Sequence, residues 1–309
     1  MNPEKYKTFP IGLNDEGKRI DNVVEVLLGL GRGLLQKAFR KGDIRINGLK
    51  VDPSCRCRAG DSLEVFHSFI KTKIPENVSN TPSPAWSIEG SILFENELIL
   101  AINKPSGFIV QGPGSLETTV REYLASKVLP SLSFHPGPLH RLDQQTTGVV
   151  CFGVSVQGAR LFSQWVSGHF MRKTYLALVQ GNLQEELIID LPLERDTTQQ
   201  VTRISPSGTG KDSITKLRPL AQQGGLTLAQ VELGTGRTHQ IRAHCAALGF
   251  PLFGDMKYGG NSGPFCLHAW KLGFPEQGLG TTEIVAPLPS RFRSEIISIF
   301  GLQTSRIIS

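Results

Sequence analysis

The sequence predicts an α+β protein, in which a small domain of two helices and a β-hairpin precedes a larger domain with a mixed, largely antiparallel sheet. Two observations predict this class. From residue 88 onwards, strand-like apolar runs outnumber helical ones, and short turns join most of them. Before that point, two short segments of helical character lead into the dipeptide Asn47-Gly48, which is a strong hairpin signal.

The chain is expected to divide into three parts. Its 309 residues exceed the usual size of one domain, so a large domain and a small one are expected. We predict a first domain over residues 1–68, a linker over 69–87 and a second domain over 88–309. The linker prediction depends on a stretch rich in Pro, Ser, Thr and Asn that has no apolar periodicity.

Local patterns predict the elements of both domains. In the first, apolar residues at positions 20, 23, 24, 27 and 28 indicate a helix, and a second helix over 34–40 stops at Gly42. The segments "DIRINGLKV" and "AGDSLEV" are typical of strands. In the second domain, strands are predicted in "SILFENELILAINKPSG", "GVVCFGVS", "KTYLALVQG" and "ITKLRPLAQQGGLTLAQVEL", and helices in "LETTVREYLASKV", "QGARLFSQWVSGHF" and "THQIRAHCAALG".

Composition limits the class of protein and its partners. The chain is 39% apolar and 19% charged, as in globular proteins, and its formal charge of +6 favours a polyanionic partner. The five cysteines are scattered and odd in number, so we expect reduced thiols rather than disulfides or a zinc site. No apolar run approaches the roughly 18 residues that cross a bilayer. We expect a soluble, cytoplasmic protein with no membrane partner.

A basic segment of the first domain is a candidate RNA contact. Between residues 37 and 58, seven cations stand against two acids, which leaves a net charge of +5. Such a run is either a solvated surface or a phosphate-binding one. These cations lie at one helix end and on the hairpin after it, which favours phosphate binding by Lys37, Arg40, Lys41 and Arg45.

The segment "HRLDQQTTG" places Asp143 two residues after Arg141, where a loop enters an apolar strand. A neighbouring guanidinium keeps a carboxylate ionised and ready to act as nucleophile or base, but a structural ion pair has the same sequence. In "TGRTHQIRAHC", Arg242 is a candidate partner for Asp143, and Arg237 and His239 are candidate contacts to phosphate or sugar. Tyr175, on a strand, either belongs to the core or stacks on an exposed base.

Together, these segments resemble the RluA-type family of RNA pseudouridine synthases. The motifs "NKPSG", "RLDQQTTG", "KTYLA", "GRTHQIRAH" and "GDMKYGG" follow the family's order over about residues 90–290. Residues 15–66 resemble the S-four-type RNA-binding domain. The combination is most similar to the bacterial branch that modifies large-subunit ribosomal RNA. Two departures are Thr147, where the family usually has Ser, and Gln111, where it often has His.

The resemblance implies the pseudouridine synthase fold and roles for the catalytic residues. Asp143 is implied as the essential carboxylate, which attacks the sugar, attacks the uracil ring or removes the sugar's 2′ proton. Arg242 is implied to pair with Asp143 and keep it ionised. Tyr175 is implied to pack against the base and help remove the final proton. An isomerisation without net redox or hydrolysis implies neither a metal nor an organic cofactor.

The resemblance also implies how RNA is bound. Arg141 is implied to fill the stack that the flipped-out nucleotide leaves, and His140, Arg237 and His239 are implied as further RNA contacts. The expected partner is RNA, most consistent with large-subunit ribosomal RNA, and the expected oligomeric state is a monomer. The choice of uridine is expected to depend on the loops over residues 111–116 and 197–212.

Two other functions are compatible with parts of the sequence. A metal-dependent hydrolase would use His239 and His244, which are five residues apart, with His140 or His268 completing the site. An RNA-binding factor without catalysis would keep the fold and lose the reactive residues. The presence of Asp143, Tyr175 and Arg242 together favours the enzyme over the factor.

Overall fold

The computed structural model of the chain describes residues 5–70, 86–276 and 278–305. Its strands form a four-stranded sheet near the N-terminus, a ten-stranded sheet and a separate two-stranded hairpin. Most helices pack on these sheets through apolar faces, so the predicted α+β class is confirmed. No helix in the described part of the chain has the length and apolar character needed to cross a membrane.

The small sheet has the strand order β1-β4-β2-β3, and helices α1 and α2 share one apolar core with it. Its elements are β1 (Tyr6–Pro10), α1 (Ile20–Leu28), α2 (Arg32–Lys41), β2 (Ile44–Ile46), β3 (Leu49–Lys50), β4 (Ser62–Phe66) and α3 (His67–Ile70). Asn47 and Gly48 have φ angles of 51° and 78°, as a two-residue hairpin turn requires. Gly42 ends α2 in the left-handed region, as the sequence predicts.

The large sheet follows the path β10-β13-β14-β9-β15-β8-β6-β5, with β16 beside β15 and β7 beside β8. Its strands are β5 (Ile92–Glu95), β6 (Ile99–Lys104), β7 (Gly137–Pro138), β8 (Thr147–Gly153), β9 (Arg172–Gln180), β10 (Leu187–Asp190), β13 (Ile214–Gln223), β14 (Leu226–Leu233), β15 (Leu267–Gly273) and β16 (Glu283–Val285). The helices are α4 (Leu116–Leu124), α5 (Val156–Ser167), α6 (Gln240–Ala247), α7 (Ser290–Phe300) and α8 (Leu302–Ser305).

The centre of this sheet contains a parallel pair, β8 and β15, whereas the other pairs between described strands are antiparallel. Gly148, at the start of β8, has a φ angle of 112°, and a Cβ there would lie 2.1 Å from the carbonyl oxygen of Ala269. Only glycine permits so close an approach of the two strands. Because the Asp143 loop leads directly into β8, this tight packing anchors one end of the candidate site.

A buried carboxylate joins the N-terminal part of the chain to the large-sheet part. Asp15 is fully buried, and its oxygens accept hydrogen bonds from the hydroxyls of Ser131 and Ser133, both at 2.7 Å. They also accept a hydrogen bond of 2.8 Å from the backbone N–H of Leu132. Burial raises the pKa of Asp15, but these hydrogen bonds lower it by more, so the carboxylate stays ionised in the contact.

The structure also contains elements that the sequence patterns do not predict. Strand β1 pairs with β4, and β11 (Leu193–Asp196) and β12 (Val201–Ile204) form a hairpin that extends into the predicted loop 197–212. These two regions are short and polar, so their alternation is weak. Strand β15 and helix α7 were not predicted either, although both are longer and β15 is mostly buried. Most of the predicted linker, 69–87, lies outside the described residues, and the domain boundaries stay predictions.

Candidate active site

A buried lysine fixes the loop that contains Asp143. Lys104, at the end of β6, is fully buried, and its ammonium donates hydrogen bonds to the carbonyls of Pro105 at 2.9 Å and Gln144 at 2.8 Å. Burial lowers the pKa of Lys104 to about 7, although the charge of Asp143 acts in the opposite direction. One side chain thus ties the turn after β6 to the residue that follows Asp143.

Arg242 joins two carboxylates. Its Nη1 atom lies 3.4 Å from Oδ2 of Asp143, while Nε and Nη2 donate to the two oxygens of Asp255 at 2.7 and 2.8 Å. The two-point contact with Asp255 matches the planar fork of a guanidinium and fixes its orientation. The rings of Tyr258 and Phe265 pack against the same guanidinium, at 4.7 and 5.3 Å from their centroids. The remaining nitrogen is directed towards Asp143.

Helix α6 presents Arg242 because its first turn is fixed by Gln240. The Gln240 side-chain oxygen accepts hydrogen bonds from the backbone N–H of Arg237 and the hydroxyl of Thr235. Its amide nitrogen donates to the carbonyl of Ile214 and the hydroxyl of Thr215. This buried glutamine therefore ties the start of α6 to β13, and with it the position of Arg242 two residues later.

His239 lies on the other side of Asp143, with Nε2 3.7 Å from Oδ2. Its Nδ1 atom lies 2.9 Å from the Tyr258 hydroxyl, which accepts a hydrogen bond of 2.8 Å from the backbone N–H of Thr202. The Tyr258 hydroxyl therefore links the imidazole to the backbone at Thr202 and orients the ring, with Nε2 facing Asp143. Burial lowers the pKa of His239, although Asp143 acts in the opposite direction. The ring is neutral at pH 7.

Tyr175, on β9, lines the same small cavity as Asp143, Arg141, Arg237 and Arg242. Its ring packs against the apolar clusters on that side of the sheet. Burial, with a smaller contribution from the charge of Asp143, raises the pKa of the phenol above its ordinary value. The hydroxyl thus keeps its proton at neutral pH, and the ring face forms part of the wall beside the carboxylate.

A groove continues outward from Asp143. It has a volume of about 450 Å³, and its walls include Arg141, His239, Arg242 and Lys257, with Gln111 and its neighbours on the opposite side. Arg141 is exposed here rather than paired with Asp143. The cation close to the carboxylate is the distant Arg242, one of the two possibilities that the sequence leaves open.

Several predicted site residues are not part of this group. His140 stacks on Phe162 at 5.7 Å, and its Nε2 atom accepts a hydrogen bond from the backbone N–H of Cys151. Burial lowers the pKa of His140 to about 4, and these contacts favour a structural role. His244 bonds to the Thr215 hydroxyl and the Leu191 carbonyl, directed away from His239. The pair on which the hydrolase alternative depends is therefore not formed.

The basic residues of the first domain lie apart from the groove. Lys37, Arg40 and Lys41 are exposed on α2. Arg45 is half-buried, donates to the carbonyl of Gly42 and packs over the Tyr6 ring at 4.7 Å. Three of the four predicted phosphate contacts thus have free access to solvent.

Three residues of the site were not predicted individually, namely Lys104, Asp255 and Tyr258. Each lies in a motif that the sequence analysis quotes, "NKPSG" or "GDMKYGG". A polar residue next to a proline or glycine turn can be recognised in a sequence as a candidate site residue, because turns place side chains at the ends of strands. What the sequence could not supply is the partner of each, since all three contacts join distant segments.

The sequence and the fold are similar to those of known proteins. The model of the RNA pseudouridylate synthase family matches residues 98–247. The ribosomal large subunit pseudouridine synthase C of Salmonella typhimurium (strain LT2) is 32% identical over 256 residues, which cover 82% of this chain and 80% of that protein. The solved structure of human RNA pseudouridylate synthase domain containing 1 has a TM-score of 0.55 and 28% identity, covering 66% of this chain and 86% of that one.

A second human structure, RNA pseudouridylate synthase domain containing 4, has a TM-score of 0.57 and 21% identity, covering 68% of this chain and 92% of that one. The shared fold and the sequence relatives define the class of protein as an isomerase. The chain belongs to the RNA pseudouridylate synthase family, and the RluA-type resemblance inferred from its motifs is confirmed.

Proposed function

We propose that this protein converts specific uridines of large-subunit ribosomal RNA to pseudouridine, with Asp143 as the reacting carboxylate. The observation that carries the proposal is the grouping of Asp143, Arg242 and Tyr175 around one cavity, with Asp143 and Arg242 3.4 Å apart. The ribosomal substrate is supported by the names of the relatives that match most of the chain.

The target nucleotide has to leave the RNA stack, because Asp143 lies inside a cavity that a stacked base cannot enter. Arg141, exposed at the mouth, occupies the vacated place. The bond between N1 of uracil and C1′ of the ribose breaks, and C5 then bonds to C1′. The proton lost from C5 is balanced by the proton gained at N1, so the reaction needs no net oxidant or hydrolysis.

In this mechanism Asp143 acts on the sugar, on the uracil ring or on the 2′ proton, and Arg242 stabilises its negative charge in each case. Tyr175 packs against the uracil while the base turns over. The raised pKa of the Tyr175 phenol keeps its proton in place in the resting enzyme, which favours the packing role over that of a proton acceptor. Neutral His239 lies beside the same carboxylate, with Nε2 3.7 Å from Oδ2.

The first domain is proposed to bind RNA phosphates through its exposed cations on α2. This S-four-type function explains why a basic segment is joined to a catalytic domain. We further propose that the protein acts in the cytoplasm, where ribosomal RNA is accessible, and that it acts as a monomer.

The test is to map pseudouridines across total RNA from cells with and without the gene. We expect loss at one or a few large-subunit positions, restored by the wild-type gene but not by the Asp143→Asn variant. Asp190→Asn, at an exposed carboxylate on β10, is the matched control and should restore the modification. Purified Asp143→Asn protein should still bind the RNA. An unchanged map would refute the enzymatic proposal and favour an RNA-binding factor.

A further inference from the structure

A second cavity, of about 500 Å³, lies beside the Asp143 groove. The two share Gln145, Arg242 and Lys257, so a ligand that fills one approaches the other. The cavity is bounded by the turn after β6, the loop between α6 and β15, and the first turn of α7. Its volume is within the range of about 300–1,000 Å³ that is typical of ligand pockets.

The charge of this cavity is complementary to a phosphodiester. Lys257 and Arg291 lie on its rim, and both are exposed. The acid in its wall, Asp255, is already engaged by both of its oxygens with Arg242. Lys257 already donates to the carbonyl of Gln200 at 2.9 Å, but its ammonium has further N–H groups for a negatively charged ligand. Together with Arg291 it faces no unpaired carboxylate among the lining residues.

The walls are suited to a flat ring. Pro105, Pro264 and Pro289 line the cavity together with the half-buried Phe265, and Phe292, which is 3% exposed, belongs to the apolar core that supports this wall. Proline and phenylalanine surfaces are apolar and rigid, and nucleobases pack on such surfaces with little dependence on base identity. The polar groups near them are the hydroxyl of Ser106 and the amide of Gln145, which hydrogen-bond to each other at 2.9 Å.

The backbone holds the cavity open without a ligand. Gly254 has a φ angle of 78°, and a Cβ there would lie 2.3 Å from the carbonyl oxygen of Pro264. Gly260 lies equally close to the backbone, with a Cβ 2.2 Å from the carbonyl oxygen of Leu252. These close approaches fix the loop between α6 and β15, so the wall that carries Asp255 and Lys257 is preformed.

We propose that this cavity binds the nucleotide adjacent to the target uridine in the same RNA strand. Its base packs between the proline and phenylalanine walls, and its phosphate contacts Arg291 and Lys257. The proposal rests on the proposed function, because it assigns the neighbour of a uridine placed at Asp143. It implies that the enzyme removes two consecutive nucleotides from the RNA stack, one for reaction and one for anchoring.

The first test compares Arg291→Ala with Arg293→Ala, a matched control on the same helix that is exposed but does not line the cavity. Affinity is measured by fluorescence anisotropy with a hairpin RNA around the mapped uridine, in an Asp143→Asn background. We expect Arg291→Ala to weaken binding about three- to tenfold and Arg293→Ala less than about twofold. Equal effects of the two substitutions would overturn the proposal.

A double-mutant cycle then locates the contact. Methylphosphonate linkages, which are neutral, replace the phosphates on either side of the target one at a time. At one of the two positions, the loss from Arg291→Ala should shrink to less than about twofold, because the phosphate contact is already absent. An undiminished loss at both positions would place Arg291 elsewhere on the RNA and contradict the assignment.

Photo-cross-linking identifies the bound base. With 4-thiouridine directly before or after the target, one of the two RNAs should cross-link to Phe265, Phe292 or Met256, all of which line the cavity. Cross-links confined to other peptides would refute the pocket. Because isomerisation of the unmodified hairpin by the wild-type enzyme is measured separately, a failed pocket and a failed enzymatic function give different results.

Discussion

Asp255 holds Arg242 with both carboxylate oxygens, at 2.7 and 2.8 Å, and thereby directs the remaining guanidinium nitrogen at Asp143. Asp255 is almost fully buried and does not touch Asp143 itself, so it acts as a positioning residue. We predict that Asp255→Asn lowers kcat about 10- to 100-fold and changes KM less than about threefold. Steady-state kinetics measure both values. If KM instead rose by as large a factor as kcat fell, the result would indicate that Asp255 contacts the RNA.

The Tyr258 hydroxyl links Thr202 to His239, so its removal should release the imidazole from the orientation that this contact fixes. We predict that Tyr258→Phe lowers kcat about tenfold while the ring, packed over Arg242, preserves RNA binding.

Burial lowers the pKa of His239, so the ring gains a proton only on acidification below about pH 6.5 and then neutralises Asp143. Activity should fall there, and His239→Gln should remove that part of the pH profile.

Lys104 is the next test, because its buried ammonium donates hydrogen bonds to the loop carbonyls of Pro105 and Gln144. Lys104→Met keeps the length and apolar stem but cannot donate. We predict a loss of about 1–3 kcal/mol in the free energy of unfolding and a larger fall in kcat than in RNA affinity. Lys216→Met, at an exposed ion pair with Glu186, is the control and should leave the free energy of unfolding, kcat and the RNA affinity unchanged.

The contact between Asp15 and residues 131–133 should make a measurable contribution to stability. Asp15→Ala leaves buried donors without an acceptor, and we predict a loss of about 3 kcal/mol in the free energy of unfolding, measured in urea. Because the folded-state pKa of Asp15 is lowered, this stabilisation is present above about pH 4 and is lost as the carboxylate protonates on acidification. Asp21→Ala, at a partly exposed pair with Arg19, should have a clearly smaller effect.

His268 predicts a second pH dependence of stability, in addition to that of Asp15. It is fully buried, bonded to the Thr147 hydroxyl and the Ala286 carbonyl, and burial lowers its pKa to about 4. Between about pH 6.5 and 4 the unfolded chain binds a proton there and the folded chain does not, so acidification removes up to about 3 kcal/mol of stability. In His268→Gln, the slope of unfolding free energy against pH should be shallower over this range. An unchanged slope would contradict the assignment.

The sequence predicted most of the second domain because its strands are long and apolar, as in β8, β9 and β14. It also predicted the hairpin at Asn47-Gly48, where backbone chemistry is local. It did not predict β1 or the hairpin of β11 and β12, whose short polar strands depend on partners elsewhere in the chain.

The candidate site shows the same difference between local features and contacts that join distant segments. Asp143 and Arg242 were identifiable because motif residues carry their own chemistry, and the structure brings these two together. The function of Asp255 was hidden, since nothing in "GDMKYGG" states that its carboxylate would meet a guanidinium thirteen positions earlier. His140 was assigned to RNA by its position in the motif, whereas its ring is enclosed by Phe162 and the strand behind it.

The Asp15 contact has a consequence for how a substrate is selected. It joins the part of the chain that carries the cations of α2 to the part that carries Asp143. A folded RNA that contacts both must then hold the phosphates bound at α2 and its reactive uridine at a matching distance. We therefore expect the three-dimensional spacing within an RNA, more than the sequence around a uridine, to decide which position is modified.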